Sequence, residues 1–399
     1  MPNPLCPSPI DLRQAHGTLI AVPSRIHLLS LTAATMILTI MVAQPVLPLY
    51  LQERGLPPVE VGLLVGIMSL SIIATELGAM TVSRRLGRRG TILLGSLGGA
   101  AAQLWFAFAA TRPEWYLSRL LFGAFRGLLW PVLFAEVADA TPPGRHGRAF
   151  ATFWLYFGVG LLAGPWIGGW IADAVNLRAP LVLSAGLALV PLALGGTISA
   201  RRDAPVSLGA ALRALRRRRE VVSVWILNAL HTTIYGLFST FLPLYATTQG
   251  LSASQIGLLF AAGSATFTAA QLPAGRLLEE RPALARLAPI YLARAAAMAA
   301  IPLAHTFAGL LALNGLIGIV GAVVPAALSA RLAAVTTPAQ SVVAMGAHNA
   351  AADVGFFVGP VIGGIVADYG LAWPFVITLP IAAGATVLIR TALRQGTSP

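Results

Sequence analysis

Gly160-Leu-Leu-Ala-Gly164-Pro165-Trp-Ile-Gly168-Gly169 returns, 195 residues later, as Gly355-Phe-Phe-Val-Gly359-Pro360-Val-Ile-Gly363-Gly364. An Ala-Asp follows each segment, at Ala172-Asp173 and Ala367-Asp368. The same offset of 195 relates Leu47-Pro48-Leu49-Tyr50 to Leu242-Pro243-Leu244-Tyr245, Gly55-Leu56 to Gly250-Leu251, and Gly62-Leu63-Leu64 to Gly257-Leu258-Leu259. A register that holds from Leu47 to Asp173 is an internal repeat. The chain is therefore built as two like halves, and what each half contains decides the fold.

Each half contains six apolar runs long enough to cross a bilayer, which takes about 20 residues. They lie near Ile26–Tyr50, Val59–Val82, Thr91–Ala110, Glu114–Val137, Ala149–Ile171 and Ala179–Ser199. The second set lies near Val221–Tyr245, Ser252–Gly275, Ala285–Ala304, Phe307–Ala330, Ser341–Ala367 and Leu371–Arg390. The expected organisation is a tail (1–25), a six-helix half (26–199), an Arg-rich middle loop (200–220), a second six-helix half (221–394) and a short tail (395–399). Twelve transmembrane helices in two halves of equal orientation imply a pseudo-two-fold axis along the membrane normal, with a site between the halves. The Pro-rich N-terminal stretch predicts no cleaved signal peptide.

Composition agrees. Of 399 residues, 57% are hydrophobic and 10% charged, where soluble domains average about 45–50% and about 25%. All 27 cations are Arg, against 14 acids. Without a Lys, the chain cannot be a P-loop NTPase or use Schiff-base chemistry. Arg and Ala used at the expense of Lys point to a GC-rich bacterial genome. Cys6 is the sole cysteine and forms no internal disulfide. Gly158-x-Gly160-x-x-Ala163 fits a dinucleotide fingerprint, but it lies inside a span with no strand before it. No metal-ligand cluster or nucleophile motif occurs, so no cofactor and no enzyme activity are expected.

The Arg residues set the expected orientation. Twenty-one fall on the side of the two tails and the middle loop, and only Arg54, Arg112 and Arg178 on the other. That asymmetry places both termini in the cytoplasm and removes nucleic acid as a partner for a chain of net charge +13. In the middle loop, Leu208, Ala211, Leu212 and Leu215 share a helical face, with Arg on the rest. This predicts a short helix lying on the anionic leaflet.

The Gly-Pro segments suit close helix packing, because glycines at i, i+4 and i+8 let backbones approach and Pro permits a bend. Gly160–Gly169 also resembles the Gly-Pro motif of the fifth span in proton-driven antiporters of the major facilitator superfamily. Gln44-Pro45-Val46-Leu47-Pro48 resembles the Pro-rich end of their first span, and Arg119-x-x-x-Gly123 resembles the motif of their fourth. Thr141–Arg148 is similar to their loop between spans 4 and 5. Arg85-Leu86-Gly87-Arg88-Arg89 matches the end of their signature loop between spans 2 and 3, with Arg84 where the family has Asp. Gly275-x-Leu277-x-Glu279 keeps a carboxylate at the equivalent place of the second half. The resemblance implies the major facilitator fold, with a cavity lined by spans 1, 4, 7 and 10. It implies a gate between halves involving Arg85, Gly87, Arg88 and Glu279, and an interface at Gly164, Pro165, Gly359 and Pro360.

Intramembrane polar residues carry the functional reading. A charge at mid-membrane costs roughly 2.5–3.5 kcal/mol even on insertion scales, so each asks for a partner or water. Arg126 sits at the centre of span 4, with Arg119 two turns earlier on the same face. Asn228, His231 or Thr232, Tyr235 and Ser239 form one polar stripe on span 7, while Gln44 and Asn314 lie on spans 1 and 10. Each alone suits a satisfied core polar group as well as a cavity contact. Arg294 on span 9 is expected to snorkel to the cytoplasmic surface. Glu136 and Asp139 suit structural ion pairs. Glu76, deep in span 2, is the leading proton carrier and Asp353 the second, since a buried carboxylate alternating between water and an Arg can bind and release a proton. His231 and His348 are further titratable groups.

These features predict a secondary transporter working by alternating access, with proton-coupled efflux of a small organic compound, drug or metabolite, as the main expectation. Two Arg residues tilt the substrate toward anionic or neutral compounds. The alternatives are a symporter or facilitator importing a sugar or organic acid, and a lipid-handling membrane protein. The expected partners are a small-molecule substrate, protons and membrane lipid; a monomer in the inner membrane of a bacterium is expected.

Overall fold

The computed structural model describes residues 24–141, 146–194, 198–199, 201, 208–279 and 284–395. Cys6, Arg13, the loop residues Pro142–Arg145 and the side chains of Arg276 and Glu279 lie outside what is described. Among the described residues the molecule is all helix and loop, as the apolar runs predict. Nine helices among the described residues are long and apolar enough to cross a membrane, and Ala179–Ala193 is a shorter apolar one.

Helices α1 (Ser24–Ala43) and α2 (Leu47–Glu53) form the first expected span, α3 (Pro58–Phe108) the second and third, and α4 (Arg112–Gly127) with α5 (Leu129–Ala140) the fourth. Next come α6 (His146–Ala174), α7 (Ala179–Leu187), α8 (Val190–Ala193) and α9 (Leu208–Arg216). The second half holds α10 (Arg219–Thr248), α11 (Ala253–Glu279), α12 (Leu284–Ala299), α13 (Phe307–Ala334), α14 (Pro338–Ala367), α15 (Trp373–Val376) and α16 (Thr378–Gln395). With α11 and α12 in the places of two further crossings, the helix order is consistent with twelve spans.

Local chemistry explains where the helices break. Gly87 at φ 73° carries the reversal between the two parts of α3, a conformation costly to any residue with a Cβ. The amides that follow find acceptors across the chain, Arg88 N on Arg201 O at 3.0 Å and Arg89 N on Ser199 O at 3.2 Å. Pro45 and Pro48 remove two donors, and the first span turns at residues 44–46. Pro131 removes the partner of the Gly127 carbonyl, and α4 passes to α5 at Leu128. α4 starts in a capping box, where Glu114 accepts from the Ala110 and Thr111 amides at 2.9 Å each.

The repeat holds in three dimensions at the offset of 195. Tyr50 donates its hydroxyl to the Ala107 carbonyl at 3.0 Å, and Tyr245 donates to that of Pro302 at 3.1 Å. Arg119 Nε donates to Leu64 O at 3.1 Å, and Asn314 Nδ2 donates to the equivalent Leu259 O. Arg25 pairs with Glu136, and at the equivalent positions Glu220 pairs with Arg331, the charges exchanged.

Glu136 also anchors a buried cluster at the tail end of the first half. It accepts from Arg88 at 3.2 Å and from the Ser199 amide and hydroxyl at 2.8 and 2.7 Å, while Asp139 accepts from Arg88 at 2.8 Å and Arg201 at 3.0 Å. The ion-pairing expectation for these acids agrees with this. Glu136→Ala removes the buried carboxylate that Arg25, Arg88 and Ser199 share, while Arg88 keeps Asp139, and a loss of about 1–3 kcal/mol is expected, read as a lower unfolding temperature of the detergent-solubilised protein. An unchanged transition would contradict a structural role for the cluster.

The middle-loop helix exists, but α9 is not simply laid on lipid. Leu215 is fully buried in the protein core and Leu212 packs against it, where α9 meets α10 and α14. Arg213 and the run Arg216 to Arg219 stay exposed.

Candidate functional site

The halves meet at the end of the bundle away from the termini. A Cβ on Gly62 of α3 would stand 2.1 Å from the Pro360 carbonyl oxygen of α14, and one on Gly257 of α11 would stand 2.3 Å from that of Pro165 in α6. The two Gly-Pro segments thus work with two faces. Pro165 and Pro360 meet the opposite half, while Gly164 lies against Met41 of α1 and Gly359 against Thr233 of α10.

Close by, Asp173 at the end of α6 accepts from the Ala253 amide at 3.0 Å and the Ser254 amide at 2.8 Å, at the free N-terminus of α11. At the offset of 195 the partners of Asp368 would be Pro58, which has no N–H to donate, and Val59, and the exposed Asp368 carboxylate accepts no hydrogen bond from the described residues. Among the described residues, closure at this end therefore has one carboxylate latch. Asp173→Ala removes two charge-assisted bonds of roughly 1.5–3 kcal/mol each before water competes, so the open population should rise about tenfold or more. Spin labels at Val175→Cys and Thr248→Cys in a Cys6→Ser background should show a longer distance. Asp368→Ala should not change it; equal responses would rule out the latch.

Beneath this seal lies a cavity of about 450 Å³ with mainly apolar walls, within the range of small-molecule sites. Gln44, Arg119, Arg126, His231, Tyr235, Asn314 and Asp353 line it, together with Thr232 and Ser239. The turn after α1 presents Gln44, whose Nε2 reaches Tyr235 Oη from the other half at 3.4 Å. On α4 the inward face repeats every three to four residues, through Trp115, Arg119, Phe122 and Gly123, which brings Arg119 and Arg126 to the same wall. Arg119 is 4% exposed and lies over Phe106 and Phe122 at 5.5 and 5.7 Å from their ring centres.

Arg126 is half-buried and makes no ion pair within 4 Å among the described residues. It is nevertheless within electrostatic reach of Asp353 and Glu76, and the two carboxylates are within reach of each other. One acid comes from each half of the chain, and Arg126 serves both. Asp353 lines the cavity; Glu76, on α3, does not.

Three placements differ from the sequence reading. Arg294 does not snorkel: it is 4% exposed and turns inward from α12, its Nη1 lying 2.7 Å from His231 Nδ1. Gly321 of α13 makes room, since a Cβ there would stand 3.3 Å from Arg294 Nε. Asn228 does not reach the cavity; it is buried, and its Nδ2 donates to the His348 carbonyl at 2.8 Å, tying α10 to α14. The resemblance implies a gate between halves for Arg88, whereas its guanidinium is bound to Glu136 and Asp139 within the first half, because Gly87 turns it back toward α5. Arg85 is exposed nearby. The cost of a mid-span charge, which singles out Arg126, was the signal available for Arg294 too.

Among the described residues no cluster of metal-ligating side chains occurs. A family model described as Major Facilitator Superfamily matches residues 29–308 and again 224–398. An uncharacterized MFS-type transporter of Methanocaldococcus jannaschii is 23% identical over 348 residues, covering 85% of this chain and 90% of that one. The quinolone resistance protein NorA of Staphylococcus aureus is 29% identical over 146 residues, 37% of each chain. Among solved structures, a bacterial homologue of the human lysosomal transporter Spinster superposes with a TM-score of 0.74 at 16% identity, covering 93% of this chain and 96% of that one. A POT family transporter in complex with 5-aminolevulinic acid gives 0.79 at 13% identity, covering 96% and 98%. At these identities the superpositions speak to the fold.

Proposed function

The chain belongs to the Major Facilitator Superfamily, and on that premise we propose that it exports a small organic compound in exchange for protons by alternating access. It works as a monomer in a bacterial inner membrane with both termini cytoplasmic, as the Arg asymmetry supports, and performs no covalent chemistry. With the end away from the termini sealed, the described state faces the cytoplasm.

The observation that carries the reading is the charge triad. Glu76 and Asp353 come from opposite halves and share Arg126. Two carboxylates served by one guanidinium titrate as a coupled set. When the halves move, the share of Arg126 that each acid receives changes, and with it the proton affinity of the pair. A substrate in the cavity beside Asp353 and Arg126 competes for the same cation. That competition couples substrate binding to proton release. The similarity to a quinolone resistance protein over part of the chain supports export over import.

The test uses everted membrane vesicles, energised and carrying a pH-reporting dye, challenged with a chemically diverse compound panel. Proton release on adding a compound, lost in Glu76→Gln or Asp353→Asn, is the expected result. Coupling that survives both substitutions would sink the triad. Protons moving with the substrate would make the protein an importer, and no response to any compound would favour lipid handling.

A further inference from the structure

Arg126 has a counterpart that the repeat hides. At the offset of 195, Arg126 corresponds to Gly321, and Gly99 corresponds to Arg294. In the first half, the guanidinium springs from α4 and its neighbour position on α3 is glycine; Gly99 and Arg126 line one small cavity together. In the second half, the guanidinium springs from α12 and the glycine is on α13, directly against it. Each half thus places one arginine on the central cavity, delivered from the opposite member of the helix pair, and in the second half the glycine lies directly against it.

The two arginines differ in what balances them. Arg126 has Glu76 and Asp353 within reach. At the offset, their counterparts are Gln271 and Gly158, both neutral. Among the described residues no carboxylate lies within 4 Å of Arg294. Its neighbours are the His231 ring at 2.7 Å and the face of Tyr235 at 5.9 Å. Arg294 Nε is buried with no hydrogen-bond partner. The Tyr291 hydroxyl donates to Leu227 O at 2.6 Å and receives no hydrogen bond from Arg294. A cation held out of water with one neutral acceptor is costly until an anion arrives. The guanidinium is a fork suited to a planar oxyanion.

We propose that Arg294, with His231 beside it, is the anion subsite of the cavity, and that the transported compound carries a carboxylate on an apolar, aromatic-sized body. The charge is read by Arg294. The body lies against Phe238, Phe260, Phe267 and Phe356, which line the same cavity. Arg126 and Asp353 line the same cavity, so a compound held by Arg294 occupies the space beside them. This inference deepens the proposed efflux reading and rests on it for direction and coupling alone.

The experiment measures binding to the purified full-length protein in nanodiscs at a single pH, with no proton gradient, using 2-naphthoate and its neutral isostere 2-naphthamide. The wild type should bind the carboxylate about tenfold or more tightly than the amide. Arg294→Gln should erase that preference by weakening naphthoate alone, and Arg294→Lys should keep part of it. Equal binding of acid and amide by the wild type overturns the proposal, and this comparison needs no variant to fold. A preference that persists in Arg294→Gln overturns it as well. Because no gradient is used, failure here is distinct from loss of proton release in vesicles.

Discussion

Arg126→Gln is expected to abolish proton-coupled transport while the protein still folds. The folding expectation follows from geometry: Arg126 lines the cavity and makes no ion pair within 4 Å among the described residues, so its removal breaks no contact network. The functional expectation follows from charge. Glu76 and Asp353 are half-buried carboxylates, and Arg126 is the cation within electrostatic reach of both. Without it the movement of the halves no longer changes how a cation is shared between the two acids, and the movement releases no proton. A loss on the order of 100-fold in coupled efflux is expected, which corresponds to about 2.7 kcal/mol of missing charge stabilisation. Arg126→Lys should retain part of the activity, since it keeps the charge and loses the fork. Dye-reported proton release alongside naphthoate binding separates the two roles: binding should survive in Arg126→Gln. Coupling at the wild-type level would remove Arg126 from the cycle.

Gly62→Val and Gly257→Val should each stop transport by preventing the end away from the termini from closing. Added carbon atoms would meet the Pro360 and Pro165 carbonyl oxygens at 2.1 and 2.3 Å. Backbone oxygens cannot swing aside as flexible side chains do, so the helices must separate, and packed interfaces switch between arrangements without deforming gradually. Gly78→Val is the control, because nothing lies within 4 Å of a Cβ there. The spin-label pair at positions 175 and 248 should report an open end in both interface variants and the wild-type distance in the control. Normal transport by either interface variant would show that this contact does not form during the cycle.

Much of the fold is legible because its signals are local. A span announces itself by its own hydropathy, and the Gly-Pro segments recur as plain identities. Arg126 is legible for the same reason: its depth in an apolar run can be counted along the chain. Other parts of the repeat escape a search for identical residues although the geometry is kept. Arg25–Glu136 and Glu220–Arg331 share one arrangement with the charges exchanged. Arg119 and Asn314 make the same bond with different side chains. What recurs is a distance and a donor, and neither is written as a letter.

The sequence by itself determined an all-helical, multi-span membrane protein of two like halves, and placed an arginine deep in the fourth span. These follow from the cost of exposing backbone or charge to hydrocarbon, which acts on each segment alone. Only the tertiary structure decided where the polar side chains of those segments go. Asn228 and His231 sit one turn apart on α10, yet one ties α10 to α14 and the other faces the cavity. Arg294 turns inward because Gly321, on a different helix, leaves it room. A buried polar group goes where a neighbour supplies space and a partner, and that neighbour is distant in the chain.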